Sequence, residues 1–600
     1  MTLNSDDHED MIVDEITQFQ ARKPMTRQST MPVSISYDNS IRKSLDMKRM
    51  SQCISPNASL KAVSEHKKTP YDHFLIVGLP LKVDVPENPN LTPKILMMYP
   101  SAPLILEPSE YERVVSFCFP NGVQPVPPGQ NYIHDQFVFR INKNVNGEQI
   151  PVYGICTQFD VTHVRNSFFF DADSSKYLFC ICFLTTQPLI APTFQFSCLL
   201  VLWINQKLAY KFHPNPDLKF DTPSEAETVL LPGLRWGGGS QSMNSIRIPR
   251  KFLQELDFFY TIELAPFPKI LPMDRNNHYM LSIPALETPD KYILGPSLSY
   301  LFSALSVRNI TKVYSLMLLD SQLVFISKDP TRLTLSILAA VNILNPFEPC
   351  VVIMPVIPNN ENFLPLLDSP TPFIIGVVVN EEGLQLHPES EITVINLDTD
   401  TIIERKVTPI FPDYEKVEEQ INLLFELHKA KIIPPPKFIK KGIIKKDLED
   451  NPDFDAFIER TSGFAFPQLT IYNDPPKYIL TEAVNDQVVD AFRKGLPETI
   501  SYLMNPCFVS DTTDANKPVT IFNHELFVSS INPDWKEFFD LFINTQIFQQ
   551  FCDIKTDEKE VYLQSNMMKN NQPPLVQNND DNNQNTTNKH HVRRRRKKTT

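Results

Sequence analysis

The sequence predicts a mixed α/β protein with a helical part toward the C-terminus. Three observations predict this class. Short apolar runs of strand character alternate with helical patterns in two separate stretches, 74–204 and 301–379. Apolar residues make up 42 % of 600, enough chain for several domains with sizeable cores. Apolar periodicity fades before Tyr71 and after Gln564, which predicts disordered tails over 1–71 and 556–600.

In the first stretch, FLIVGLP (74–80) and KILMMYP (94–100) read as strands. EPSEYERVVSFCFP (107–120) reads as a short helix, with Ser109 and Glu112 spaced as a capping box. Phe117 and Phe119 alternate around Cys118 before the Pro120-Asn121-Gly122 turn, so they are expected on one buried strand face. Gln136–Ile141, Val152–Phe159 and Tyr177–Leu184 read as further strands, and Leu189–Ile204 as a buried helix. The expected arrangement is a meander with helices on one face. A linker follows over 211–245.

The second stretch is the most informative. Ser306 precedes the helical run VRNITKVYSLMLL, which breaks at Asp320-Ser321. A strand ends at Ile326-Ser327. Asp329-Pro330 is a cap followed by a first-turn proline, opening RLTLSILAAVNIL, which Pro346 stops. Cys350–Pro355 is continuously apolar, as a strand covered on both faces is. A last strand follows Pro370-Thr371-Pro372. Further on, Tyr414–Ala430 has helical spacing at Val417, Ile421, Leu424 and Phe425.

The order of elements and the wording of the turns over Leu301–Val379 resemble the central module of the DENN family. Met98-Tyr99-Pro100, Phe117-Cys118-Phe119-Pro120, Phe137-Val138-Phe139, Tyr153-Gly154 and Cys180-Ile181-Cys182 resemble the upstream module. INLDTDTI after Val394 and Trp535–Asp553 resemble the downstream one. The resemblance implies a longin-like upstream module over 72–210, a central α/β module over 246–400 and a helical downstream module over 401–555. It also implies a guanine nucleotide exchange factor that promotes GDP release from a Rab-family small GTPase, held across the two lobes. The alternative is a DENN-fold scaffold or GTPase-activating component without exchange activity, for which Arg308 is the candidate arginine.

The residues themselves offer no covalent chemistry. There are 15 glycines and no GxxxxGK[ST] phosphate loop. His524-Glu525 opens like a zinc-protease helix, but Val528 stands where the second histidine is needed. Nine cysteines are scattered without framework spacing; Cys180-Ile181-Cys182 is a CxC in a strand-like run and reads as core thiols of a reducing compartment, not as a metal pair. No cofactor is expected. The net charge of −13 argues against a nucleic-acid partner. Tyr177–Gln206 is uncharged but broken by Thr185, Thr186, Gln187, Pro188 and Pro192, so it reads as buried strand then buried helix.

Two candidate sites remain. The break at Asp320 and Ser321 is an exposed turn or a loop at a partner-facing sheet edge. The run Arg593, Arg594, Arg595, Arg596, Lys597 and Lys598 fits an anionic-membrane patch, a nuclear import address or a functionless tail. The expected location is cytoplasmic, peripherally associated with membranes. Basic-then-hydroxyl patterns at Arg27–Ser29, Arg42–Ser44 and Lys48–Ser51 suit basophilic kinases.

Overall fold

Strands β1 (His73–Gly78) and β5 (Phe179–Thr185) pair directly, although about a hundred residues of chain separate them. The computed structural model describes residues 69–79, 91–100, 103–127, 133–145, 148–160, 176–209, 228–231, 246–264, 269–272, 280–283, 289–380, 384, 386–387, 390–428, 480, 482–511 and 519–570. All lie in one of the two units into which the chain divides, 53–600. The expectations on 1–68 and 571–600, on Val161–Asp173 and on the Pro-broken insertion after Ala430 fall outside the described residues. The tail expected to be disordered from 556 is helical as far as Asn570, because the closing helix over Gln546–Asn570 continues through it.

The first sheet adds β2 (Lys94–Tyr99), β3 (Ile133–Val145) and β4 (Glu148–Phe159) in the antiparallel order β2-β1-β5-β4-β3. A plain meander was expected. Instead β5 returns to the centre, with Phe74 opposite Phe183. The reason is that β1 and β5 are apolar at both parities and are buried along their whole length. For the same reason helices cover both faces, not one. Leu75, Val77, Cys180 and Cys182 join Tyr111, Val114 and Phe117 of α1 (Pro108–Phe117). Phe74, Ile76, Ile181 and Phe183 join Phe194 of α2 (Ile190–Ala209) and Phe259 of α3 (Arg250–Thr261).

Two local readings are corrected here. Helix α1 begins two residues earlier than Ser109 suggests: Pro108 takes the first turn, and the box is Glu107 with Glu110, whose carboxylate accepts from Glu107 N at 3.1 Å. Phe117-Cys118-Phe119 is the end of this helix and not a strand. Cys118 N donates to Val114 O at 3.0 Å and Phe119 N to Ser116 O at 3.2 Å, which winds the chain through both phenylalanines. Both are buried all the same.

From the stretch read as a linker, β6 (Thr228–Leu231) pairs antiparallel with β7 (Ile246–Pro249), the first residues of the expected central module. Helix α2 also runs on to Ala209, past the expected end at Ile204. A second small pair, β8 (Lys269–Pro272) and β9 (Met280–Ile283), precedes α4 (Pro289–Ala304).

The second sheet holds β10 (Leu323–Ser327), β11 (Val352–Ile357), β12 (Phe373–Val378), β13 (Thr393–Asn396) and β14 (Thr401–Ile403), ordered β11-β12-β10-β13-β14. All pairings are parallel except β13 with β14. Helices α5 (Val307–Leu318) and α6 (Pro330–Asn342) carry the expected caps. Ser306 accepts from Asn309 N, and Asp329 accepts from Thr331 N at 2.7 Å and Arg332 N at 3.0 Å. The strand expected at Cys350–Pro355 lies two residues later. It is an edge strand, with Val352 51 % exposed, which is why Pro355 is tolerated within it.

The C-terminal part is helical, as expected, with one added hairpin. Its elements are α7 (Tyr414–His428), α8 (Glu482–Lys494), α9 (Leu496–Met504), β15 (Phe508–Asp511), β16 (Val519–Phe522), α10 (His524–Ser530), α11 (Lys536–Phe542) and α12 (Gln546–Asn570). It docks through Phe347, whose ring lies 4.7 Å from Phe551 and 5.8 Å from Phe542. One apolar core runs from the α1 face of the first sheet through the second sheet to α12. No described helix is long and apolar enough to cross a membrane.

Candidate functional site

The break after α5 is built from its last turn. Ser321 N donates to Leu316 O at 3.2 Å and Asp320 N to Met317 O at 3.3 Å, and Asp320 takes the left-handed backbone with φ 48°. A short polar residue tolerates that conformation, and here it stops the helix. The turn is half-buried and not an open loop. The Asp320 carboxylate accepts from Gln546 N at 2.7 Å, at the start of α12. Thr545 Oγ1 accepts from Phe548 N at 3.2 Å on the same turn. Burial pushes the Asp320 carboxyl up, against the pull of the Gln546 and Ile547 N–H groups. Asp320 thus fastens the closing helix to the end of α5, and Ser321 lies beside it, partly exposed.

The carboxyl end of β10 is where an open parallel sheet usually receives ligands. Here it is occupied by protein groups. Asp398 accepts from Ser327 Oγ at 2.7 Å, Lys328 N at 2.8 Å and Arg332 Nη1 at 2.7 Å. Asp329 fills the N-terminus of α6, and burial, then the neighbouring Asp135, push its carboxyl up to about 6 against the N–H groups of Arg332 and Thr331.

Strand β3 then lies along α6. As an edge strand it needs acceptors for its outward N–H groups. Gln136 N donates to Thr331 Oγ1 and Val138 N to Thr334 Oγ1, each at 3.2 Å. Helix α6 is therefore shared between the sheets. Its Leu333 and Ile337 belong to the core of the second sheet and its Leu335 and Leu338 to the core behind the first. Thr334→Val keeps the shape but leaves the buried Val138 N–H without its acceptor. The expected loss is about 1–3 kcal/mol, read from chemical denaturation. A wild-type midpoint would show that this hydroxyl does not hold the seam.

The remaining sequence candidates fall apart in space. Arg308 is not free: Nη1 lies 3.3 Å from Glu418 Oε1, and the guanidinium sits 4.2 Å from the centre of the Tyr414 ring. His524 packs against Phe522 at 4.8 Å, in an aromatic cluster with Phe548. The basic run Arg593–Lys598 lies outside the described residues. One grouping escaped the sequence reading. Cys118, Cys156 and Cys180, far apart in the chain, bring their sulfurs within 4.8 Å of one another. Only Cys180-Ile181-Cys182 hinted at it, by placing two thiols on one strand face.

Residues 93–159 match the uDENN domain, and residues 265–400 match the DENN (AEX-3) domain. The chain carries a uDENN domain and a DENN domain. The DENN match takes in β8 through β13 and so contains α6, Asp320 and Asp398. The uDENN match takes in β2, α1, β3 and β4, while β1, β5 and α2 complete its sheet from outside the matched range. The chain is 31 % identical over 118 residues to the MAP kinase-activating death domain protein of Drosophila melanogaster, covering 19 % of this chain and 5 % of that one. It is 31 % identical over 118 residues to DENN domain-containing protein 2A of Mus musculus, covering 18 % and 12 %. It is also 30 % identical over 140 residues to myotubularin-related protein 5 of Caenorhabditis elegans, covering 22 % and 8 %. The chain thus spans a small part of each relative's length. The seam of β3 and α6 joins the uDENN and DENN domains.

Proposed function

We propose that this chain is a guanine nucleotide exchange factor for a Rab-family small GTPase. The observation that supports it most is the presence of both uDENN and DENN domains on one continuous core, because DENN proteins are in general Rab exchange factors. In this reading 72–210 is a longin-like upstream module, 211–245 a connection, 246–400 the central module and 401–555 the downstream one. The β13–β14 hairpin crosses the last boundary.

Exchange needs no covalent chemistry. A chain that binds the nucleotide-free GTPase more tightly than the loaded form loosens the nucleotide reciprocally, through a coupling typically of ~1–3 kcal/mol. The contact would be an extended surface across both lobes with a few apolar anchors and a polar rim. Ser321 is proposed as part of it, with Asp320 holding α12 beside it. The activating alternative needs an arginine free to reach a phosphate, and Arg308 is engaged by Glu418 and Tyr414. Peripheral attachment would come from Arg593–Lys598, each cation contributing about 1 kcal/mol at an anionic leaflet.

The test is release of fluorescent GDP from a panel of Rab proteins, in solution and on anionic liposomes carrying the anchored GTPase. Release should accelerate for at least one Rab. Replacing Arg593, Arg594, Arg595 and Arg596 with Ser should slow the liposome reaction only. Faster GTP hydrolysis with unchanged GDP release would favour the activating reading. An unchanged liposome rate in the Ser variant would remove the membrane role of the tail.

A further inference from the structure

We infer that Cys118, Cys156, Cys180 and Cys182 form a closed site for one thiophilic metal ion, Zn2+ or Cu+. The four side chains are wholly buried and reach one place from three elements. Cys118 follows the last residue of α1, Cys156 is on β4, and Cys180 and Cys182 are on β5. Cys156 stands opposite Cys182 in the β4–β5 ladder, and the two-residue period of a strand puts Cys180 on the same face.

The sulfurs of Cys118, Cys156 and Cys180 all lie within 4.8 Å of one another, and that of Cys156 is 4.0 Å from that of Cys118. Cys182, opposite Cys156 in the ladder and two residues from Cys180, presents the fourth thiol on the same strand face. Four thiolates around a tetrahedral ion, at ~2.3 Å each, place the sulfurs roughly 3.8 Å apart. Cys118, Cys156 and Cys180 need to close by only about an ångström at most to reach that spacing, and Cys182 supplies the fourth thiolate by turning toward them from the same face. An all-sulfur set selects soft ions over Mg2+ or Ca2+. No open position faces solvent, so the site is structural. Each ligating thiol gives up its proton as the ion binds, and binding adds to folding.

The ion would staple the end of α1 to the middle of the first sheet, beside Phe117. Because the thiols are sealed, it must enter before the sheet closes. The full chain is therefore tested after expression and again after unfolding and refolding with Zn2+ or Cu+. Elemental analysis should find about one equivalent per chain, as expected of a single structural site. Refolding with Co2+ should give the near-ultraviolet sulfur-to-metal charge-transfer band. Cys118→Ala and Cys156→Ala should lose the metal. Cys198→Ala, on the opposite face in α2, should keep it. The wild-type measurements stand even if a variant does not fold. A chain that remains metal-free after both preparations overturns the inference. So does metal retained by Cys118→Ala, or a Cys118–Cys156 disulfide found by thiol titration and mass in denaturant.

Discussion

Phe117→Ala should lower the unfolding free energy by about 3–5 kcal/mol, the range for emptying a buried aromatic site. Phe117 is wholly buried at the end of α1. Its ring stacks on Phe139 of β3 at 5.1 Å and 26°, and meets Phe363, in the loop after β11, edge-on at 5.2 Å and 69°. It therefore bridges the uDENN sheet and the DENN core, and its removal opens a cavity that neither side can fill alone. Nearby, Asn359 N donates to Pro120 O at 2.8 Å, so backbone also ties the two parts there. Phe119→Ala, buried but outside this ring trio, should cost less. Guanidinium unfolding followed by fluorescence and circular dichroism checks both. A Phe117→Ala transition coincident with wild type would mean that the bridge adds no stability.

What the sequence showed depended on how far the deciding contact reached. Ser306, Asp329 and Pro330 were legible because a cap is decided within about three residues. The apolar strands were legible from composition, but their order was not. β5 sits beside β1 because Phe74 meets Phe183, a contact across a hundred residues that no local pattern encodes. The cap of α1 falls at Glu107 and not Ser109 because, although Ser109 and Glu112 have the right spacing, Pro108 cannot donate and takes the first helical position, two residues earlier. The polar break at Asp320 was visible as a discontinuity between apolar runs. Its partner Gln546 is 226 residues away, so the sequence could locate the residue but not what it holds. The thiol group failed to show for the same reason. Cys118 and Cys156 match no ligand spacing, and the alternation of Phe117 and Phe119 mimics a strand where the chain in fact turns at the end of α1.

Gly376→Ala should cost about as much as a sizeable core truncation, although it adds only one methyl group. Gly376 lies in β12, opposite Phe325 of β10. A Cβ built there falls 2.0 Å from Pro355 O and 2.8 Å from Ile337 Cδ1. The ladder between β11 and β12 shifts register between Met354 and Ile357, and Pro355 sits in that irregularity. Its carbonyl is backbone and cannot rotate aside as a side-chain end would. The methyl must push β11 away from β12 or drive Ile337 of α6 out of the core. Overpacking of this kind typically costs 1–3 kcal/mol, and a backbone collision puts this case at the top of that range or above. Gly154→Ala makes the contrast. The atoms nearest its Cβ all belong to the end of the Phe139 ring, the closest at 2.0 Å, and a ring can tilt where a peptide cannot. Thermal unfolding should therefore rank Gly376→Ala below Gly154→Ala and both below wild type. If Gly376→Ala unfolds with the wild-type protein, β11 does not press on β12 at Pro355, and the close approach assigned to these strands is wrong.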